Sequence, residues 1–189
     1  MKILIIIICA ASLLINIINP AQAISERAAK FIQYCSLEDM PWPPAGWTKS
    51  ELREAALEVL DAIENGSIKD HIKGACLQTL GYTQNPDDLP RIMAYKDRMP
   101  KTVLRSLKGF PHPDAINYLI EHVNSEKQII REIAIKGIAD VDFRKLKEPE
   151  KWKSRVLDVI KTVLKKEKVD WLKKDIEKAL KKVEEAKTE

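Results

Sequence analysis

The sequence predicts an all-α chain built as a short curved stack of about four helix pairs, and two observations predict it. The first is an internal repeat. One window has a basic or Pro start, small to medium apolar residues, an apolar anchor and then a turn into another helix. It occurs as Lys73–Leu80, Pro100–Leu107 and Arg131–Ile138, with a weaker copy at Lys173–Leu180. Self-similarity at spacings of roughly 27 to 42 residues marks a stacked helical array. The second is composition: of 189 residues, 32% are charged and only 6% aromatic. Helices wetted along one side have that balance, and no strand pattern survives the helical period of the apolar positions.

Residues 1–23 are set apart before any fold reasoning. Met1-Lys2 gives a positive start, Ile3 to Ile18 is almost wholly apolar, and Pro20-Ala21-Gln22-Ala23 ends in a small-x-small site. That layout predicts a secretory signal peptide cleaved after Ala23. The apolar run of about 16 residues is short of the roughly 20 that a membrane span needs. An uncleaved anchor is the alternative. Cys9 follows Ile8, where lipid attachment requires a small residue, so lipidation is rejected. Export predicts a periplasmic or secreted protein, membrane-associated only if the segment stays attached.

The remaining chain, about 166 residues, is long enough for a real core. Residues 24–48 read as a short helix and a Pro/Trp-rich capping segment, and residues 49–189 as the repeat domain. Ala28, Phe31, Ile32 and Cys35 recur at helical spacing. The stretch Met40-Pro41-Trp42-Pro43-Pro44-Ala45-Gly46-Trp47 is too proline-rich for helix and follows a polyproline-like path. Its two tryptophans either seal the first helix pair or offer an aromatic recognition spot.

Thr48 with Glu51 makes a capping-box pattern, and the helix runs to Asn65-Gly66, where Gly permits the left-handed stop. Ser67 caps the next helix, which ends near Gly81. Asn85-Pro86-Asp87-Asp88 opens a helix carrying Leu89, Ile92, Met93 and Tyr95. Met99-Pro100 and Pro111-His112-Pro113-Asp114 open the next two, and Ser125 starts the one through Ile138. A polar connection spans Asp140 to about Pro149. Two helices close the chain, Glu150 to Lys166 and Val169 to Lys187. Each short helix exposes more apolar surface than it can bury alone, so neighbours must cover it.

At Lys73-Gly74-Ala75-Cys76-Leu77-Gln78-Thr79-Leu80-Gly81, followed by Asn85-Pro86-Asp87-Asp88-Leu89-Pro90, the chain resembles HEAT repeats. The resemblance is to the short bacterial HEAT-like kind first associated with phycobilisome lyases. Arg131, Ala134, Gly137 and Ile138 occupy the same slots. The resemblance covers roughly Ser50 to Glu185 and implies a right-handed α-α superhelix, a HEAT-like solenoid. Pro100 in place of a basic residue and the long connection after Asp140 depart from the pattern. Lyase activity is not implied, because no motif specific to it occurs.

Chemistry-bearing motifs are scarce. His71 and Cys76 lie five apart, not the three or four that put metal ligands on one helix face. There is no Gly-x-Ser-x-Gly elbow, no glycine-rich phosphate loop and no catalytic setting for a cysteine. No catalytic, cofactor or metal site is expected. Cys35 and Cys76 either form a disulfide, worth about 3–4 kcal/mol by loop entropy, or are two small buried apolar residues. A formal net charge of +4 does not argue for nucleic acid.

In the C-terminal third, Lys165-Lys166, Lys173-Lys174 and Lys181-Lys182 are interleaved with acids, which favours a solvated, ion-paired closing helix. A basic face toward an anionic surface is the other reading. The expected function is an exported, non-enzymatic, monomeric scaffold that binds a protein or peptide along its concave, second-helix face. The expected partner-binding residues are Lys73, Gln78, Arg105, Lys108, Arg131 and Lys136. An envelope-anchored structural protein and an enzyme accessory of the chromophore-lyase type are the rivals.

Overall fold

The structure, a computed structural model, describes residues 24–36, 43–66, 68 and 72–189, all of them helix or connection with no strand. The expected signal peptide, Trp42, the Ser67 cap and His71 lie outside the described residues.

Helix α1 (Glu26–Cys35) is capped by the Ser25 hydroxyl, which accepts from the Ala28 amide, and it buries Ala28 and Phe31 against α2. Pro44 is buried and Trp47 half-buried against the same core. Helix α2 (Lys49–Glu64) opens with both halves of the Thr48/Glu51 capping box. It ends where Gly66 takes a φ of 81°.

Helix α3 (Lys73–Thr83) runs past Gly81, and its left-handed stop falls on Gln84, at a φ of 57°. Gly81 has another role. A Cβ built there would stand 1.8 Å from the Ser106 carbonyl oxygen of α5 (Pro100–Ser106), so two backbones meet at that point. Only glycine permits the contact.

The segment after Asn85 departs from the expected single helix. A 3-10 turn at Pro86–Asp88 precedes a five-residue α4 (Leu89–Met93), which ends before Tyr95. Pro86 and Pro90, each free of an amide proton, restrict both pieces to first-turn geometry. In α6 (Pro113–His122) the cap is His112, whose Nδ1 accepts from the Asp114 amide. Helix α7 (Gln128–Ala139) begins three residues later than Ser125.

The connection after Asp140 is not merely polar. It holds a 3-10 turn at Phe143–Lys145 and buries Val141, Phe143 and Leu146. Helices α8 (Pro149–Lys166) and α9 (Asp170–Glu185) close the chain.

Packing follows the repeats. Helices α3, α5, α7 and α9 each pack on the next, while α2, α6 and α8 lie against α3, α7 and α9 and the short α4 bridges α3 and α5. One continuous apolar core runs from Phe31 to Val183 between them. The four windows of the repeat fall on α3, α5, α7 and α9. Their fourth residues, Cys76, Val103, Ala134 and Ile176, are all fully buried. Their seventh residues are all small: Thr79, Ser106, Gly137 and Ala179. A Cβ on Gly137 would crowd the Leu119 side chain of α6 at 2.9 Å. Small side chains at that slot let helices approach closely.

Candidate functional site

Two residues after each buried anchor, the helical turn carries the side chain to the opposite face. The sixth residues of the four windows are Gln78, Arg105, Lys136 and Lys178. Gln78, Arg105 and Lys178 are exposed and Lys136 is half-buried. These side chains, polar and mainly basic, hold the equivalent position on four helices that pack in series, a register row in that sense. Lys101, one turn before Arg105, is exposed beside it.

The row is partly braced from within. Lys136 Nζ lies 2.6 Å from Glu132 and 2.8 Å from Asp175 of α9. Hydrogen bonds from Lys136 hold the Asp175 carboxyl below its ordinary range. Lys178 lies 3.6 Å from the same Asp175. Lys108 and Lys182 share Asp140, Lys108 at 3.0 Å. Gln78 Nε2 donates to its own Gly74 carbonyl at 3.3 Å.

Arg131 and Lys73, both expected at the partner-binding face, also make contacts within the chain. Arg131 makes a two-pronged ion pair with Glu167, Nε to Oε2 at 2.9 Å and Nη2 to Oε1 at 3.1 Å. Its Nη1 donates to the carbonyls of Ser125 and Glu126. Arg131 is 15% exposed and Glu167 4%, so this guanidinium is enclosed. Burial alone would raise the Glu167 carboxyl. The Arg131 hydrogen bonds and the amides of Val169 and Lys168 overcome that and hold it below the usual range. Lys73 is half-buried, its ammonium 5.7 Å from the Tyr95 ring centroid. A similar two-pronged pair, Arg53 to Asp88 at 2.7 and 2.8 Å, ties α2 to the turn before α4.

Lys178 is the member of the row that sequence reasoning missed. The signal was present, since Lys178 holds the sixth position of the weak fourth window.

Groups that carry chemistry are dispersed. Cys35 and Cys76 are both free thiols, half-buried and buried, with no bridge between them. Burial pushes Cys35 up to about 11. Burial and then the nearness of Cys35 push Cys76 up to about 12. Neither supplies a thiolate at neutral pH. The Tyr95 hydroxyl donates to Glu64, while the His122 ring lies tilted by 49° against Tyr118, centroids 4.4 Å apart. The groove of about 470 Å³ that His122 lines includes Glu126 but neither tyrosine. Among the described residues no three His, Cys, Asp or Glu side chains are grouped to hold a metal. No helix among them is long and apolar enough to cross a membrane.

Compared with known proteins, the chain matches no family model, no curated protein and no solved structure.

Proposed function

We propose that this chain is an exported, non-enzymatic scaffold, a right-handed HEAT-like superhelix of about four pairs, that holds an extended acidic protein or peptide across its α3–α5–α7–α9 layer. The observation that carries the reading is the row Gln78, Arg105, Lys136 and Lys178, one residue from each successive helix at the same register. A linear array of equivalent side chains suits a linear ligand, because each repeat meets the next few residues of the partner. The exposed Arg105 offers a planar, two-pronged contact to a carboxylate, and Lys178, 3.6 Å from Asp175, adds a second charge. Arg131 supports the layer from beneath and does not contact the partner.

The test is fluorescence anisotropy of the full chain with a labelled Asp/Glu-rich extended peptide and with its Lys/Arg counterpart. The acidic peptide binds and the basic one does not. Arg105→Glu with Lys178→Glu weakens the acidic peptide at least tenfold, in keeping with the loss of two charge-assisted contacts of roughly 1–3 kcal/mol each. Equal binding of both peptides, or an unaffected double variant, overturns the assignment.

A further inference from the structure

The α8–α9 turn differs from the row just described. Counted from the sequence, residues 24–142 carry 15 Lys and Arg against 18 Asp and Glu, whereas residues 143–189 carry 16 against 10. The positive excess of the chain therefore lies in its last quarter. Within that quarter the charge is distributed unevenly. Lys161, Lys178, Lys181 and Lys182 each have a carboxylate within 4 Å. Lys165, Lys166, Lys168, Lys173 and Lys174 have no ion-pair partner among the described residues, and all but the half-buried Lys173 are exposed. The acids among them are Glu167, enclosed with Arg131, and the exposed Asp170. A solvated, self-paired helix face does not look like this at its N-terminal end.

In the middle of these lysines stands Trp171, 47% exposed, the most exposed large apolar side chain among the described residues. It occupies the second position of α9, just past the turn. Leu164 and Val169, on either side of the turn, are half-buried and pack against the core, whereas Trp171 does not. Trp171 is not among the residues lining the cavity of about 320 Å³ beside the turn, which includes Lys166, Lys168 and Val169. It is an exposed indole one residue into α9, next to the turn.

We infer that the α8–α9 turn is a peripheral membrane-docking corner, in which Trp171 enters the headgroup layer of an anionic lipid surface while Lys165, Lys166, Lys168 and Lys174 contact the phosphates around it. The chemistry favours lipid over other anions. An exposed indole suits a deformable interface, where its apolar body and its N–H are both accommodated. Lysine stems cover apolar ground while their ammonium groups reach the phosphate level. A single-stranded nucleic acid would call for a series of aromatic platforms along a basic groove, and here one tryptophan stands alone. Lys174 stands one turn before Lys178 on α9, so the test variants are confined to Lys165, Lys166, Lys168 and Trp171, none of which belongs to the Arg105–Lys178 row.

The experiment is co-sedimentation of the full chain with vesicles of phosphatidylcholine alone and with about 30% phosphatidylglycerol, at low and high salt. The readout is the ratio between the two compositions, so apolar insertion by residues 3–18 contributes equally to both. The chain prefers the anionic vesicles at least tenfold at low salt, and the preference shrinks as salt rises. Lys165→Glu with Lys166→Glu and Lys168→Glu removes the preference, each lysine near the surface being worth about fivefold. Trp171→Ala lowers binding to the anionic vesicles several-fold and leaves the salt slope unchanged. The charge-matched Lys30→Glu, Lys49→Glu, Lys96→Glu variant keeps the preference, and a Lys→Gln triple at 165, 166 and 168 serves if the Glu triple misfolds by circular dichroism. Equal binding to both vesicle types, a preference that survives the triple, or an unchanged Trp171→Ala variant overturns the proposal. So does binding to dextran sulfate that depends on the same lysines while vesicles stay unbound.

Discussion

The seam between α3 and α5 and the seam that joins α7 to the last helix pair do the same task by opposite means. At the first, Gly81 presses on the backbone of Ser106, and the hydroxyls of Thr79 and Ser106 turn back to their own helices' carbonyls at 2.8 and 2.9 Å. Close approach with internally satisfied polar groups holds it. At the second, Arg131 reaches Glu167, Lys136 reaches Asp175 and Lys182 reaches Asp140. The later seam depends on charge, and the earlier one on the absence of side chain. Because α3, α5, α7 and α9 meet in series, each junction is free to use its own chemistry.

The largest effect is expected where charge is most enclosed. Arg131→Met leaves the Glu167 carboxylate buried without its partner and should cost about 3–5 kcal/mol in urea unfolding. Replacing both residues with Met should return most of that loss, because the desolvation penalty goes with the charges. Acid sharpens the contrast. Since Glu167 is held below its ordinary value of 4.5, its pairing stabilises fully above that pH. The stability is lost as pH falls through the lower, folded value. Wild type should therefore lose more stability than the double-Met variant between pH 7 and the acid range. Equal acid sensitivity would mean that Glu167 is not the group responsible.

Next comes the steric seam. Gly81→Ala places a Cβ where the Ser106 carbonyl already stands, and backbone cannot rotate aside as a side chain can. The cost should reach about 3 kcal/mol, the upper end of ordinary overpacking. Gly74→Ala on the same helix is the control. Its Cβ meets Thr102 at an ordinary 3.6 Å, so helix propensity should leave it neutral or slightly stabilising. Thermal melts of the two variants measure the difference, and similar melting points would refute the close approach.

What the chain disclosed beforehand follows from locality. The Thr48–Glu51 box, the Pro openings and the periodic anchors Cys76, Val103 and Ala134 are encoded within a few residues, and each is found in the structure. The misses were non-local. Gly81 read as a helix end or a close-packing position, and which of the two it is depends on Ser106, in another helix. Arg131 read as surface because its partner is 36 residues away. The polar letters after Asp140 obscured Phe143, which is fully buried. Ionic and steric roles give the same letter patterns in one dimension, and only the packing separates them. The proposed row was half legible for the same reason: the six expected polar positions of the second helices included Gln78, Arg105 and Lys136, while Lys178 required the weak fourth window to be laid in register with the others.

The smallest expected effect lies at Lys136, which belongs both to the charged seam and to the row proposed to bind a partner. Its side chain is 44% exposed and that of Asp175 22%, so water and salt screen the pair far more than Arg131–Glu167. Lys136→Gln should cost about 0.5 kcal/mol, typical of an exposed ion pair. In roughly 1 M NaCl, where the screening length falls to about 3 Å, that cost should vanish, while the cost of Gly81→Ala persists. Urea midpoints for both variants at the two salt concentrations make the comparison. A Lys136→Gln loss that survives high salt would show that this contact holds the α7–α9 seam by packing, and the division of the two seams into steric and ionic would then fail at this exposed contact.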